Sequence, residues 1–331
     1  MLRVIYELSP PEAIEALVRV TSTGVEADPG AARPAVEADD GRVTLTFPDA
    51  NWGDDLSLLV SSVVAGEWGD LGALERCRLV HIEWPDGLPG PAQEAPDRVL
   101  VGAIVKPALG LSPREAAATA AELAAGGADL VKDDELIGDR PWSPLEERVR
   151  AIVASIPEHV SYVANVTGSA DGLLGRAERA VGLGAKGLLV NAWAQGFDAV
   201  RVMRERDLGA ALFAHRAGGA PWLRGSVGAG GGPIASLTRM AGSDYVLVGS
   251  FTGKLADHPD DVLAGIAACH APAAVPRAVA VLGGGVSPEN AAAQIERAGT
   301  RSGVMALLGS AAYAHPGGPR EAVAETVATV R

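Results

Sequence analysis

The sequence predicts a (β/α)8 TIM barrel preceded by a small α+β domain. In the second part of the 331-residue chain, eight short apolar runs alternate with Ala-rich stretches of helical spacing. The chain is 48% hydrophobic but only 4% aromatic, which suits parallel strands of Ala, Val, Leu and Ile covered by helices. Charged and amide side chains follow the runs at their C-terminal ends, which a barrel gathers on one face. A doubly wound open sheet is the alternative.

The N-terminal part has the pattern of a small α+β unit. Its apolar residues alternate in three segments, and Pro and Gly interrupt the chain between them. We expect this unit over residues 1–90 and the barrel over residues 99–331. Strands are predicted at 2–8, 42–47 and 77–85, a helix from Pro10, a second helix over 54–66 with Asp54 or Asp55 as its N-cap, a loop over 28–41 and a linker over 86–96.

The eight apolar runs of the second part are each followed by a helix-compatible stretch. Together they span about 230 residues, within the usual size of a single barrel. The predicted strands lie within residues 100–107, 128–134, 160–166, 185–192, 210–216, 244–249, 278–285 and 303–310.

Composition excludes several classes of partner and site. A net charge of −13 argues against nucleic acid, because phosphate backbones require clustered Lys and Arg. Cys77 and Cys269 lack the spacing of a zinc site and are expected to be buried. The N-terminus does not resemble a signal peptide, and Pro and Arg interrupt the most apolar stretch, residues 262–286. We expect a cytoplasmic protein with no membrane partner.

The strongest local motif is Lys132-Asp133-Asp134-Glu135, at the end of the second barrel strand. In an extended segment Lys132 and Asp134 point to one side and Asp133 to the other, and Glu135 rejoins the first two once the chain turns. Clustered carboxylates favour a cation, and hard oxygen ligands suit Mg²⁺. Lys132 is compatible with a metal if its neutral amine reacts with CO2 to form a carbamate. A solvated charged turn is the alternative interpretation.

Six segments resemble, in order, signatures of the RuBisCO large-subunit family. The resemblance implies a ferredoxin-like N-terminal domain, a homodimer with active sites at the subunit interface, and Mg²⁺ bound by a carbamylated lysine. The segments are GAIVKPALGLS (102–112), GGADLVKDDE (126–135), HRAGGA (215–220), GSDYVLVGSFTGKL (242–255), LGGGV (282–286) and ALLGSAAYAHP (306–316).

The resemblance also implies roles for individual residues. Gly249 and Gly253 flank a segment that could close on a substrate, and Lys254 either acts in this lid or is an exposed loop cation. For His315 a structural role is expected, and Asn165 either lies near the metal or only forms hydrogen bonds in the barrel mouth. The remaining matches are Lys132 as the carbamate, Asp134 and Glu135 as metal ligands, Lys106 as the proton shuttle, His215 and Arg216 as a histidine and a phosphate-binding arginine, and Gly284, Gly285, Gly309 and Ser310 as a phosphate site.

Several departures indicate a RuBisCO-like protein of the form IV type rather than a carboxylase. Ala108 replaces a second lysine of the first barrel strand, Leu247 a histidine and Gly283 a serine. In the N-terminal part, residues that orient CO2 and the intermediate in carboxylases are replaced by Val20 or Thr21, by Val25 and Glu26, and by Gly66 or a neighbour.

The expected function is Mg²⁺-dependent enolisation of a phosphorylated oxo sugar or sugar acid, with or without cleavage of a carbon–carbon bond. A decarboxylase or hydrolase of a 3-oxo sugar-acid phosphate is a close alternative. The next alternative is a methionine-salvage enolase or isomerase. Those enzymes use an additional lysine of the N-terminal domain as the base, and residues 1–98 of this chain contain no lysine. The last alternative is a non-catalytic metabolite sensor.

Overall fold

The computed structural model describes residues 1–23, 30–52, 55–64, 66–255 and 257–331. Four N-terminal strands form an antiparallel sheet in the order β4-β1-β3-β2, which is the ferredoxin-like arrangement that the resemblance implies. Alternate side chains of β1 are buried, so one face of the sheet packs on the helices. The bounds are β1 Leu2–Ser9, α1 Ile14–Thr23, β2 Ala35–Asp39, β3 Arg42–Phe47, α2 Leu56–Leu59 and β4 Arg76–Glu83.

The second predicted helix is shorter than its sequence pattern. Asp55 is its N-cap, since the carboxylate accepts a hydrogen bond from Leu58 N at 3.0 Å. After Leu59 the chain continues as one π-helical turn over Val60–Val64. The alternative cap, Asp54, lies outside the described residues.

Strand β2 corrects the prediction of a loop over residues 28–41. It pairs with β3 through a two-residue turn in which Asp40 has φ 42° and Gly41 φ 76°. Positive φ at both central residues defines a type I′ hairpin turn, for which Asp-Gly is a preferred sequence. Every β2 side chain is exposed at the sheet edge, so the strand lacks the alternating apolar pattern that the prediction relied on.

Eight parallel strands close into a barrel, and each of the eight predicted runs overlaps one of them, the first strand beginning one residue before its run. The open-sheet alternative is therefore wrong. Leu130, Val163, Phe213 and Met305 are among the buried side chains of the barrel's inner core cluster. The strands are β5 Val99–Ile104, β6 Leu130–Lys132, β7 Ser161–Asn165, β8 Gly187–Asn191, β9 Ala211–His215, β11 Tyr245–Gly249, β12 Val279–Leu282 and β13 Val304–Leu308.

Helices follow the barrel strands as expected. The first of them begins with a capping box, in which the Ser112 and Glu115 side chains each bond the other's backbone N–H. Cys77 and Cys269 are buried, as expected. The helices are α3 Pro113–Ala125, α4 Leu145–Ser155, α5 Leu173–Gly182, α6 Ala192–Gln195, α7 Phe197–Glu205, α8 Ala220–Arg224, α9 Gly231–Met240, α10 Pro259–His270, α11 Ala291–Ala298, α12 Ser310–Ala314 and α13 Gly318–Val330.

One further strand joins the two parts of the chain. Strand β10, Val227–Ala229, lies between α8 and α9 in sequence but pairs in parallel with β4 of the N-terminal sheet. Arg78 strengthens this contact by donating to Gly225 O at 2.6 Å. The predicted linker over residues 86–96 contains no helix or strand. Among the described residues, no helix combines the length and apolar character that a membrane span requires.

Candidate functional site

A cavity of about 600 Å³ opens at the C-terminal ends of the barrel strands. Most of the residues predicted as catalytic and as phosphate-binding line the same cavity. Lys132, Asp134 and Asn165 are buried and do not line it. Arg224 and Asp257 also line the cavity and were not singled out from the sequence. The predicted residues that line it are Lys106, Glu135, His215, Arg216, Lys254, Gly284, Gly285, Gly309 and Ser310.

Lys132 ends β6 and is fully buried. Its Nζ donates to Asp133 O at 2.8 Å and lies 3.9 Å from Oε2 of Glu135 and 5.5 Å from the centre of the Phe213 ring. Burial lowers the pKa of the Lys132 ammonium, although Glu135, Asp134 and Asp133 oppose the shift. Burial therefore makes the neutral amine, the form that reacts with CO2, more accessible than in an exposed lysine.

Asp133 points away from its neighbours, as strand alternation predicts. Its carboxylate accepts hydrogen bonds from Tyr162 OH at 2.9 Å, Arg148 Nε at 3.1 Å and Asn165 N at 3.0 Å. All of these groups are buried, and so are Lys132 and Asp134. The alternative of a solvated charged turn is therefore wrong.

Lys106 and Asp134 meet directly. Nζ of Lys106 lies 2.5 Å from Oδ2 of Asp134, while Oδ1 accepts from Leu136 N at 3.0 Å. The Lys106 backbone N–H donates to the Tyr313 hydroxyl at 2.9 Å, and that hydroxyl donates to Ile104 O at 2.7 Å. Tyr313 thus anchors the backbone beside the lysine, a function that no sequence pattern indicated.

Asn165 and His315 form hydrogen bonds within the protein. The Asn165 amide donates to Asp134 O at 2.9 Å and accepts from Thr167 N at 2.9 Å, so it holds the backbone of the Asp134 segment. Nε2 of His315 lies 3.2 Å from Glu325 Oε2, and its Nδ1 accepts from Gly317 N at 3.1 Å. These contacts agree with the hydrogen-bonding interpretation of Asn165 and the structural role expected for His315.

Burial favours the neutral form of the His215 imidazole, which lies beside Glu135. Burial, followed by the charge of Lys132, lowers the pKa of His215 to about 3. Its Nδ1 accepts a hydrogen bond from Ala217 N at 3.2 Å, which assigns the ring proton to Nε2. Nε2 lies 3.5 Å from Oε2 of Glu135. The ring therefore presents an N–H donor to the carboxylate.

The segment 250–257, of which the structure describes residues 250–255 and 257, contacts the glycine-rich turn that follows β12. Leu255 N donates to Gly284 O at 2.9 Å, and Asp257 N donates to Ser250 O at 3.0 Å. Gly253 has φ +105° and lies so close to Gly285 that a Cβ atom would be 2.6 Å from the Gly285 Cα. Only glycine fits at this contact. The segment therefore lies over the predicted phosphate site, with Lys254 in the cavity lining.

Arg216 does not present a free guanidinium to the cavity. It forms an ion pair with Asp257, whose side chain is only 7% exposed. The neighbouring departures Leu247 and Gly283 also line the cavity, and a Cβ atom at Gly283 would lie 3.0 Å from Leu247 Cδ1. This part of the cavity wall is therefore apolar apart from the neutralised arginine.

The N-terminal departures have structural explanations where the structure describes them. The Thr21 hydroxyl is buried and donates to Leu17 O at 2.8 Å. A Cβ atom at Gly66 would lie 2.6 Å from Ser62 O, so this backbone position excludes a side chain. Val25 and Glu26 lie outside the described residues.

The donor set fits Mg²⁺ bound with a carbamylated lysine. No group of three or more His, Cys, Asp or Glu side chains that could hold a metal occurs in the described part of the chain. Asp134 and Glu135 supply two hard carboxylate ligands, and the buried Lys132 amine lies where a carbamate would add a third. The ammonium of Lys106 binds the Asp134 carboxylate, so this carboxylate lies where it can accept a cation from the cavity.

Comparison with known proteins places these residues in a family. The catalytic-domain model of the ribulose bisphosphate carboxylase large chain matches residues 92–328. An uncharacterized ribulose bisphosphate carboxylase-like protein of Bordetella bronchiseptica is 31% identical over 84% of this chain and 71% of its own length. A 3-oxo-isoapionate-4-phosphate decarboxylase of Rhizobium etli is 30% identical over 85% of this chain and 73% of its own length. A putative 2,3-diketo-5-methylthiopentyl-1-phosphate enolase of Shouchella clausii is 28% identical over 78% of this chain and 79% of its own length. Alignments with such relatives span from 53% to 79% of their length.

Solved structures show the same fold. A rubisco-like protein from Burkholderia fungorum superposes with a TM-score of 0.85 at 25% identity, covering 99% of this chain and 93% of that chain. The octameric ribulose-1,5-bisphosphate carboxylase/oxygenase of Pyrococcus horikoshii also superposes with a TM-score of 0.85 at 25% identity, covering 99% of this chain and 87% of that chain.

Proposed function

The chain belongs to the RuBisCO large-chain family, and we propose that it is a RuBisCO-like enzyme that enolises a phosphorylated oxo sugar or sugar acid with Mg²⁺. One observation carries the proposal. The cavity lysine Lys106 pairs with Asp134, and the buried Lys132 lies 3.9 Å from the adjacent carboxylate of Glu135, so two lysines meet two consecutive carboxylates at one place. Of the four lysines in the chain, three therefore lie at or near this cavity: Lys106, Lys132 and Lys254.

The proposed metal ligands are the Lys132 carbamate, Asp134 and Glu135. Mg²⁺ bound there would act as a Lewis acid on the substrate carbonyl and stabilise the negative charge that develops on enolisation. Asn165 keeps the backbone of the Asp134 segment in place. His215 presents its Nε2 proton to Glu135 and so orients that carboxylate.

Lys106 is the proposed general base. Once its ammonium has released a proton to solvent, the neutral Nζ takes the proton from the carbon next to the carbonyl, and it returns a proton after the double bond has moved. The hydroxyl of Tyr313 fixes the position of the Lys106 backbone through a hydrogen bond. When Nζ separates from Asp134, the amine is available for this proton transfer. The proposal predicts exchange of the substrate α-proton with solvent.

The proposed phosphate site comprises backbone amides at Gly284, Gly285, Gly309 and Ser310. Bare amides can approach an anion closely, and barrels often bind phosphate after their seventh and eighth strands. The segment 250–257 lies over this site, and closing it excludes water from the enolate. Ala108, Leu247 and Gly283 lack the polar groups of the carboxylases, which favours one phosphate and argues against carboxylase activity.

Cleavage of a carbon–carbon bond is the second candidate. A 3-oxo acid that loses CO2 or an acyl group passes through the same kind of enolate, so the same residues could serve a decarboxylase or hydrolase. The Rhizobium etli relative, named as a decarboxylase of a 3-oxo sugar-acid phosphate, supports this candidate. The Shouchella clausii relative supports a methionine-salvage enolase, but residues 1–98 supply no lysine for an N-terminal base. A non-catalytic sensor would not require Lys106 and Lys132 at one pair of carboxylates.

We also propose that the chain forms a homodimer with active sites at the subunit interface, and that its partner is a small phosphorylated metabolite. The octameric Pyrococcus horikoshii protein supports assembly within the family.

The test is solvent deuterium exchange into oxo sugar phosphates and sugar-acid phosphates, followed by NMR with Mg²⁺ and bicarbonate present. Lys132→Ala is expected to abolish exchange, because no carbamate can form. Lys186→Ala is the matched control, since its Nζ donates to Glu158 O, outside the site. Full exchange by Lys132→Ala would overturn the carbamate assignment. Release of CO2 from a 3-oxo acid would favour the decarboxylase.

A further inference from the structure

Arg216 and Asp257 form an internal ion pair on one wall of the cavity. The Asp257 side chain is 7% exposed and that of Arg216 20% exposed, so the pair is largely shielded from solvent. The two residues are 41 positions apart, and Asp257 closes the segment 250–257 through its backbone bond to Ser250 O. Both side chains of the pair lie close to the backbone of Gly249, which has φ +106°. A Cβ atom at this position would collide with both of them.

The surroundings of the Arg216–Asp257 ion pair favour an intact pair over one opened by an approaching anion. Leu247 and Leu223 line the same part of the cavity, and neither offers a hydrogen bond to an anion. A phosphate approaching Arg216 must displace Asp257 or lie next to its negative charge. Breaking a shielded pair by separating one partner leaves an uncompensated charge, which is strongly unfavourable.

We propose that Asp257 is a specificity-determining residue that occupies Arg216 and thereby excludes a second phosphate of the substrate from this wall. The inference rests on the proposed function, in which the first phosphate binds the glycine site. It identifies the preferred ligands as monophosphates whose other end is uncharged where it meets Leu247, Leu223 and the Arg216–Asp257 pair. Asp257 acts through Arg216 and is a positioning residue for it.

Arg224 provides the competing explanation. Its exposed side chain lines the cavity at the end of α8, so it could receive a second phosphate in place of Arg216. In that case the wild-type protein would prefer bisphosphates, and Asp257 would have no influence on the preference. The two explanations therefore predict opposite preferences for the unmodified protein.

The experiment compares xylitol 5-phosphate with xylitol 1,5-bisphosphate by isothermal titration calorimetry on the full chain with Mg²⁺ and bicarbonate. Asp257→Asn keeps the shape of the side chain and removes its charge. It is expected to tighten bisphosphate binding at least tenfold and to change monophosphate binding less than twofold. Adding Arg216→Gln to this variant should remove the gain. Asp260→Asn, which removes an exposed charge three positions away, should leave both affinities unchanged.

Each outcome decides the proposal. A bisphosphate gain in Asp257→Asn that exceeds any change in monophosphate affinity and disappears in the double variant supports it. No gain, an equal change for both ligands, or a tenfold bisphosphate preference in the wild-type protein overturns it. Failure of the monophosphate to bind any variant counts against the glycine phosphate site, and so against the proposed function, independently of Asp257.

Discussion

Nζ of Lys106 lies 2.5 Å from Oδ2 of Asp134, so a cavity lysine neutralises a carboxylate that is also a proposed metal ligand. Two cations therefore compete for one carboxylate. Lys106→Met should tighten Mg²⁺ binding severalfold, because the competing ammonium is gone. The same change should slow α-proton exchange by about 10² to 10⁴, the usual contribution of a general base.

Calorimetry with Mg²⁺ and NMR exchange measure these two effects separately. Lys254→Met is the control, because Lys254 lines the cavity but forms no ion pair with Asp134 in the described structure. Its Mg²⁺ affinity should equal that of the wild-type protein. Weaker Mg²⁺ binding by Lys106→Met would contradict the competition.

Lys132 should form its carbamate more readily as the pH rises. Only the neutral amine reacts with CO2, and burial lowers the pKa of Lys132, so the reactive form appears at a lower pH than in an exposed lysine. Carbon-13 NMR with labelled CO2 and Mg²⁺ should show one carbamate signal that grows with pH and is missing from Lys132→Ala. A signal that persists in that variant would assign the carbamate elsewhere.

Metal and CO2 should stabilise the fold only together. A ligand that binds the folded state alone raises stability by RT ln(1 + [L]/Kd), about 2.7 kcal/mol at a hundredfold excess over Kd. Thermal unfolding with Mg²⁺, with bicarbonate and with both should show a clear rise in Tm only for the combination. An equal rise with Mg²⁺ alone in the absence of dissolved CO2 would argue for a carbamate-independent site.

His215 should make the protein sensitive to mild acid. Its pKa is lowered to about 3 in the folded chain by burial, whereas the unfolded chain binds the proton near pH 6.5. Between these values the unfolded state holds more protons, so the free energy of unfolding falls by about 1.4 kcal/mol for each pH unit of acidification. The loss begins as the pH drops below 6.5 and ends near pH 3.

His215→Gln should flatten this dependence in urea unfolding at pH 4.5 to 7. His81→Gln, at an exposed position on β4, should retain the wild-type slope. Equal slopes in all three proteins would show that His215 titrates normally when folded.

Arg148 is expected to be essential for stability. It is buried and compensates Asp133 on the far side of the Lys132–Glu135 turn. Arg148→Met leaves that carboxylate without its cation and should cost about 3–5 kcal/mol. The exposed Arg150, paired with Glu146 on the same helix, is the control, and Arg150→Met should cost less than about 0.5 kcal/mol. Chemical denaturation of both variants measures the contrast.

The sequence by itself determined the elements whose burial pattern is local. Each of the eight barrel strands overlaps a predicted apolar run, and strand alternation correctly separated Asp133 from Lys132 and Asp134. Strand β2 was missed because an exposed edge strand has no apolar alternation, although Asp40-Gly41 carried the hairpin signal. Strand β10 lies in the glycine-rich stretch 225–232, which contains no apolar run.

Only the tertiary structure decided which side chains neutralise one another. Lys106 and Asp134 are 28 positions apart, Arg216 and Asp257 are 41 apart, and Tyr313 reaches Lys106 across the barrel closure. Periodicity along the chain reports whether a residue is buried, because burial follows from the repeat of a helix or strand. It does not report partners on other elements, because closure of the barrel and the course of the segment 250–257 bring those atoms together. For this reason Arg216 was predicted from the sequence as a phosphate ligand, and the structure shows it paired with Asp257.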